Sequence, residues 1–79
     1  MTIIYLKKDN EVFKIESKGK LNNITEISIK KSEIYYTNWK ISKTNLSAMK
    51  IKCKEASKLD WEKALIQAEG FFNSLRQSL

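Results

Sequence analysis

Residues 34–54, IYYTNWKISKTNLSAMKIKCK, contain the segment whose secondary structure decides the fold. Its first part, residues 34–42, is rich in the aromatic and β-branched residues that strands favour, which predicts a strand. Its second part, residues 46–54, fits two periodicities, one helical and one extended. The helical pattern consists of Leu46, Met49, Cys53 and Ala56, and the extended pattern alternates Met49, Ile51 and Cys53 with Lys50, Lys52 and Lys54.

Cross-strand pairing favours the strand for residues 46–54. If Lys43–Asn45 is a three-residue hairpin loop, one register sorts both strands by face. The largely apolar side then pairs Tyr35 with Cys53, Thr37 with Ile51, Trp39 with Met49 and Ile41 with Ser47. The polar side pairs Ile34 with Lys54, Tyr36 with Lys52, Asn38 with Lys50 and Lys40 with Ala48. This register places Trp39 and Cys53 on the buried side.

Earlier residues extend this hairpin into an antiparallel meander. A short apolar run predicts a strand at about residues 2–7, and alternating polar and apolar residues predict strands at about residues 11–17 and 24–30, before the strands at 34–42 and 46–54. A three-residue loop at Lys31–Glu33 would place Ile29 beside Tyr35 and Ile27 beside Thr37. The predicted sheet therefore has one buried face and one exposed face, as antiparallel sheets often do.

A C-terminal helix at about residues 58–77 is predicted to cover the buried face. Ser57 and Asp60 have the spacing of a capping box, and apolar residues then recur at intervals of three and four. This stripe consists of Trp61, Leu65, Ala68, Phe72, Leu75 and Leu79. The sequence therefore predicts an α+β fold, a single two-layer domain with a four- or five-stranded antiparallel meander packed on one C-terminal helix.

The composition argues against an enzyme and against a bound cofactor. The 79 residues include no histidine and one cysteine, so the commonest general base is missing and an intramolecular disulfide cannot form. A zinc site would also have almost no ligands. No segment has the length of a membrane span or the pattern of a signal peptide, which predicts a cytoplasmic protein without membrane association. The small size leaves self-association as a homodimer open.

The positive charge is concentrated in the first 58 residues. Thirteen of the fourteen lysines lie there against six carboxylates, a net charge of +7, whereas residues 59–79 carry −1. A charge confined to one surface attracts anionic partners. Abundant lysine, isoleucine and asparagine is also what an AT-rich genome encodes, so codon bias is an alternative source of the excess.

The predicted exposed sheet face combines lysines with one aromatic ring. This face consists of Lys30, Tyr36, Asn38, Lys40, Lys50, Lys52 and Lys54. Lysines can contact phosphates and a ring can stack on a base, so these residues predict a nucleic-acid-binding module. One alternative is a protein-interaction module, such as a phage or mobile-element inhibitor or adaptor that docks on an acidic partner. Another is a solvated surface, because exposed lysines also keep sheets from pairing with other chains.

Overall fold

A computed structural model describes residues 1–30 and 33–78 as a five-stranded antiparallel sheet with two helices. The sheet order is β4-β3-β2-β1-β5. The elements are β1 (Thr2–Lys8), β2 (Glu11–Lys18), β3 (Leu21–Ile29), β4 (Ile34–Ile41), α1 (Lys43–Lys52), β5 (Lys54–Glu55) and α2 (Lys58–Ser78). The predicted α+β class, the antiparallel sheet and the C-terminal helix are confirmed.

The first two hairpins turn at residue types that favour tight turns. Asp9 and Asn10 connect β1 to β2, and Asp9 adopts a φ of 52°, which aspartate tolerates better than most residues. Gly19 begins the next two-residue connection with a φ of 63°. Tight hairpin turns need a positive φ at their first central position, and glycine adopts it without a steric cost.

Residues 46–54 do not form the predicted strand. Residues 43–52 form α1, and the fifth strand is the short segment Lys54–Glu55. Ser42 caps the helix, because its Oγ accepts a hydrogen bond from the backbone N–H of Asn45 at 3.2 Å. Leu46 is buried and Met49 and Cys53 pack beside it, so the helical pattern of this ambiguous segment is the one that forms.

The register between β3 and β4 also differs from the prediction by one residue. Ile27 lies opposite Tyr36, not Thr37, and Ile29 lies opposite Ile34. Lys30 and Glu33 exchange backbone hydrogen bonds of 2.8 and 3.3 Å, so the connection contains two residues, not three. Those two, residues 31 and 32, lie outside the described residues. A one-residue change in register moves every side chain of β4 to the other face.

Helices cover both faces of the sheet, so the predicted fully exposed face does not exist. On one face, α1 contributes to a core that we call the α1-side core. On the other face, α2 contributes to the α2-side core. The buried residues of the α1-side core are Leu6, Phe13, Ile15, Ile24 and Leu46, and those of the α2-side core are Ile27, Trp61, Ala64 and Ala68. Both faces of β3 are therefore buried over much of its length.

The predicted capping box of α2 is confirmed. The backbone N–H of Ser57 donates to Asp60 Oδ2 at 2.9 Å, and the backbone N–H of Asp60 donates to Ser57 Oγ at 3.1 Å. The apolar stripe is buried at Trp61 and Ala68, whereas Leu75, near the end of the helix, is 49% exposed. Leu79 lies outside the described residues.

Trp39 is not the core residue that the sequence predicts. It lies on the α1 side of β4 opposite Ile24, and 37% of its surface is exposed. The cause is the position of α1, which packs on residues of β1, β2 and β3 and on Ile41 at the end of β4. The middle of β4 is therefore left uncovered on this face.

Candidate nucleic-acid interface

Three segments of the chain bring lysines together at one edge of the sheet. The last residues of β1 contribute Lys7 and Lys8, the last turn of α1 contributes Lys52, and β5 contributes Lys54. These four lysines and Asp9 line one shallow surface groove, which we call the basic groove. All four lysines are exposed, so the charged ends are available to a partner.

The fold creates this groove through the end of α1. Cys53 ends the helix in an extended conformation, with φ −107° and ψ 157°, and its N–H donates to Met49 O at 2.9 Å. The chain therefore leaves the helix already extended and pairs with β1, where Lys54 lies directly opposite Lys7. Side chains of directly opposite residues lie about 5 Å apart at Cβ, so Lys7 and Lys54 extend from neighbouring positions on one face.

Most of the charge in the basic groove is not neutralised by salt bridges. Lys7 Nζ lies 3.5 Å from Asp60 Oδ2. Among residues 1–30 and 33–78, neither Lys8, Lys52 nor Lys54 forms a salt bridge within 4.0 Å. Clustered like charges without partners raise the local positive potential, and a bound anion relieves their repulsion.

Part of this lysine cluster also has a structural role. Lys52 lies in the last turn of α1, where the carbonyl ends of the helix favour a cation. Lys7 helps to hold Asp60 in the capping box of α2. Lys8 and Lys54 have no corresponding role at a helix end. The stability of the fold therefore depends least on the charges of these two lysines.

The structure separates the predicted site residues into two groups. Lys52 and Lys54 lie in the basic groove. Lys50 lies on α1 and lines a neighbouring cleft with Cys53, Glu55 and residues 3–6 of β1. The remaining predicted residues, Lys30, Tyr36, Asn38 and Lys40, lie in or just before β4, at the opposite edge of the sheet. Four interstrand spacings of about 4.8 Å separate the two edges.

Two residues of the β4 group already have partners within the protein. Asn38 Nδ2 donates to Thr25 Oγ1 at 2.9 Å, which ties this amide to β3. Lys30 Nζ lies 5.5 Å from the ring centroid of Tyr35, within the range of a cation–π contact. Tyr36 and Lys40 are exposed on the α2 side of the sheet. The predicted continuous face of lysines around Tyr36 is therefore not present.

Lys7 and Lys8 are the residues of the groove that sequence reasoning missed. Their position just before the Asp9–Asn10 turn predicts turn residues that need no partner, but both lie at the end of β1. Only the return of the chain to β1 after α1 places Lys52 and Lys54 beside them. The local sequence contains no signal for that contact, because the paired residues are more than forty positions apart.

The thiol of Cys53 lies against the α1-side core. Its side chain is half-buried beside the α1-side core, and burial raises the pKa of its thiol. Lys8 and Lys52 act in the opposite direction but do not reverse this shift in pKa. A raised pKa leaves less of the reactive thiolate at neutral pH. No group of three or more possible metal ligands occurs among the residues that the structure describes.

Comparisons with known proteins identify no relative. No protein-family model, no curated protein and no solved structure matches this chain. No helix in the described part of the chain is long and apolar enough to cross a membrane. The fold and its charges therefore have to indicate the function by themselves.

Proposed function

We propose that this chain is a small non-enzymatic module that binds nucleic acid through the basic groove. The observation that supports the proposal most directly is the convergence of four lysines from β1, α1 and β5 around one groove. Phosphate groups along a nucleic-acid backbone are the polyanionic ligand that such a cluster suits. The proposal includes the cytoplasmic location expected from the sequence.

The chemistry of the groove favours contacts with the backbone over the reading of bases. Lysine is a compact point charge, and it lacks the planar fork with which arginine binds guanine or phosphate in two places. The chain contains one arginine, Arg76, which lies near the end of α2. We therefore expect weak sequence preference and an affinity that depends steeply on salt.

The position of the aromatic residues favours duplex over single-stranded nucleic acid. Proteins that prefer single strands usually stack bases on exposed rings. The rings of Tyr35, Tyr36 and Trp39 lie on β4, at the other edge of the sheet. Tyr5, the tyrosine of β1, is half-buried, and its ring centroid lies 6.4 Å from that of Trp61. We expect the groove to bind duplex DNA at least as tightly as a single strand of the same length.

Neutralising the groove tests the proposal. The first variant combines Lys8→Gln, Lys52→Gln and Lys54→Gln. The matched control combines Lys18→Gln, Lys20→Gln and Lys43→Gln, which changes the net charge equally at exposed positions around the β2–β3 turn and the start of α1. Affinity for a labelled random duplex is measured by fluorescence anisotropy between about 50 and 200 mM salt.

The groove variant should lose affinity and have a shallower salt dependence. Each lysine that neutralises a phosphate contributes about −0.9 to the slope of log affinity against log salt, so the slope should become shallower by about that amount for each such lysine replaced. The control should keep most of the wild-type affinity and slope. Equal reductions in both variants would show that net charge, and not the groove, determines binding.

The second candidate is a protein-interaction module of phage or mobile-element type that docks an acidic partner in the same groove. The lysines that suit phosphates also suit a row of carboxylates, since neither contact requires the arginine fork. A direct comparison of duplex DNA with poly-glutamate at the same salt separates the two. Binding of poly-glutamate with no binding of DNA would favour the acidic protein.

A further inference from the structure

The outer edge of β4 is an unpaired strand edge. Within the described residues, β4 ends the sheet and pairs only with β3. Lys30 and Glu33 exchange both backbone hydrogen bonds. Since such pairs alternate along an antiparallel ladder, Tyr35, Thr37 and Trp39 direct their backbone groups towards β3. The residues that direct their N–H and C=O groups outward are Ile34, Tyr36, Asn38 and Lys40.

This edge lacks the features that usually prevent pairing with another chain. Proteins protect sheet edges with proline, with charges, with bulges or with very short strands. At the opposite edge, the two-residue strand β5 pairs with Leu6 and Lys7 of β1. β4 contains eight residues without proline, and its one charge, Lys40, lies near its end. Its six central residues, 35–40, are all exposed.

The exposed side chains of β4 include three large aromatic residues. Tyr35, Tyr36 and Trp39 are 47%, 51% and 37% exposed. The Tyr35 hydroxyl donates a hydrogen bond to the Glu33 carboxylate. Tyr35 and Trp39 lie on the same face, four residues apart. An antiparallel strand centred between them would bring a tyrosine opposite a tryptophan twice.

We propose that the edge of β4 binds a second copy of this chain, forming a twofold dimer with a continuous ten-stranded sheet. The outward backbone groups of one copy can form hydrogen bonds only with the outward backbone groups of the other. Because these groups belong to every second residue of β4, the twofold axis must pass at the position of one residue and not between two neighbouring residues. An axis at Thr37 pairs Tyr36 with Asn38 of the second copy through hydrogen bonds. It also places Tyr35 opposite Trp39 of the second copy, in the non-hydrogen-bonded pairs where side chains lie closest.

The distribution of charge agrees with this register. The two copies of Lys40 would lie at opposite ends of the shared edge, each beside Ile34 of the other copy. The basic groove lies at the far edge of each sheet, so its lysines would stay well apart in the dimer. The dimer does not depend on nucleic-acid binding, and its test is independent of the test of the proposed function.

Substitution at the proposed axis tests the dimer. Thr37 is exposed, so Thr37→Lys should leave the fold intact, as checked by circular dichroism. In the dimer it would place two lysines directly opposite each other, which destabilises a strand pair. The matched control is Thr2→Lys, the same change at an exposed position in β1. Sedimentation velocity over a range of concentrations measures the association of each variant.

Wild-type chain and Thr2→Lys should dimerise as concentration rises, whereas Thr37→Lys and Thr37→Glu should each stay monomeric. Mixing the two Thr37 variants should restore a dimer, because lysine then faces glutamate across the axis. This rescue cannot arise from unfolding of either variant. A wild-type chain that stays monomeric at about 1 mM, the concentration scale of weak association, would overturn the proposal. So would dimers that persist in both Thr37 variants.

Discussion

Ile27 of β3 lies directly opposite Tyr36 of β4, on the face of the sheet that α2 covers. This pair determines the position of every side chain on β4. It places Tyr35, Thr37 and Trp39 on the α1 side, where α1 leaves them exposed, and it brings Ile34 beside the α2-side core. The exposure of Tyr35 and Trp39 follows from this register, whereas Tyr36 is exposed on the α2 side.

Both faces of the sheet should contribute to stability. Ile24 belongs to the α1-side core and Ile27 to the α2-side core, and both are fully buried. We expect Ile24→Ala and Ile27→Ala each to lower the free energy of unfolding by about 2–5 kcal/mol, and Ile24→Val by about 1 kcal/mol. Urea denaturation measures these changes. A negligible effect of Ile24→Ala would contradict burial by α1.

The segment at 43–52 can be tested as a helix with two alanine substitutions. Leu46 is buried against the sheet, whereas Ile51 is 86% exposed. Leu46→Ala should cost about 2–5 kcal/mol of unfolding free energy, and Ile51→Ala should change it by less than about 0.5 kcal/mol. A strand over 46–54 would bury Ile51 opposite Thr37. A large decrease in stability in Ile51→Ala would therefore favour the strand.

The capping box of α2 should contribute to stability in a pH-dependent way. Ser57→Ala removes the acceptor for the N–H of Asp60 and should cost about 1 kcal/mol. The pKa of Asp60 is lowered by the backbone N–H of Ser57, then by the Ser57 hydroxyl and by Lys7. A lowered pKa of a carboxyl group stabilises the fold above its ordinary pKa, and this contribution is lost as the pH falls through the lowered pKa.

Asp60→Asn should therefore destabilise the protein at neutral pH and have progressively less effect in acid. Thermal unfolding at a series of pH values measures the difference from wild type. Glu62→Gln is the control, since Glu62 makes only a 4.0 Å contact with Lys58 on the exposed side of α2. A difference for Asp60→Asn that stays constant from neutral to acid pH would contradict this role for the charge.

Glu26 should have the opposite pH dependence. Its pKa is raised, first by partial burial and then by the charge of Glu11. A raised pKa of a carboxyl group stabilises the fold below the ordinary pKa, and this stabilisation is lost as the pH rises through the raised pKa. Glu26→Gln should thus stabilise the protein at neutral pH, by about 0.5 kcal/mol for a partly exposed like-charge pair.

The gain from Glu26→Gln should disappear in acid, where the native carboxyl group is already neutral. Glu11→Gln removes the same repulsion, so the double variant should gain less than the sum of the two single variants. Chemical denaturation at neutral and acid pH measures both effects. Additive gains would show that Glu11 and Glu26 do not interact.

Features that depend on neighbouring residues could be predicted from the sequence. The first strands, the Asp9–Asn10 and Gly19 turns and the capping box of Ser57 and Asp60 each depend on residues a few positions apart. The stripe that begins at Trp61 also follows a local periodicity. The sign of the charge and its concentration before residue 59 are likewise properties of the sequence alone.

The structure of segment 43–52 could not be predicted in the same way, because its residues fit both a helical and an extended periodicity. A strand pairing with β4 sorts most of these residues by face, but it does not use the N-terminal cap at Ser42. The cap and the burial of Leu46 decide in favour of the helix. A cross-strand pattern that fits well is therefore weak support when the same residues also form an amphipathic helix.

The sequence by itself determined the class of the fold and the basic character of the protein, because both follow from local periodicity and composition. Only the tertiary structure decided which lysines meet. Lys52 and Lys54 join Lys7 and Lys8 because β5 pairs with β1, a contact between residues far apart in the chain. It also decided which aromatic residues are exposed, because the length of one connection sets the register of β4 and a single residue reverses its two faces.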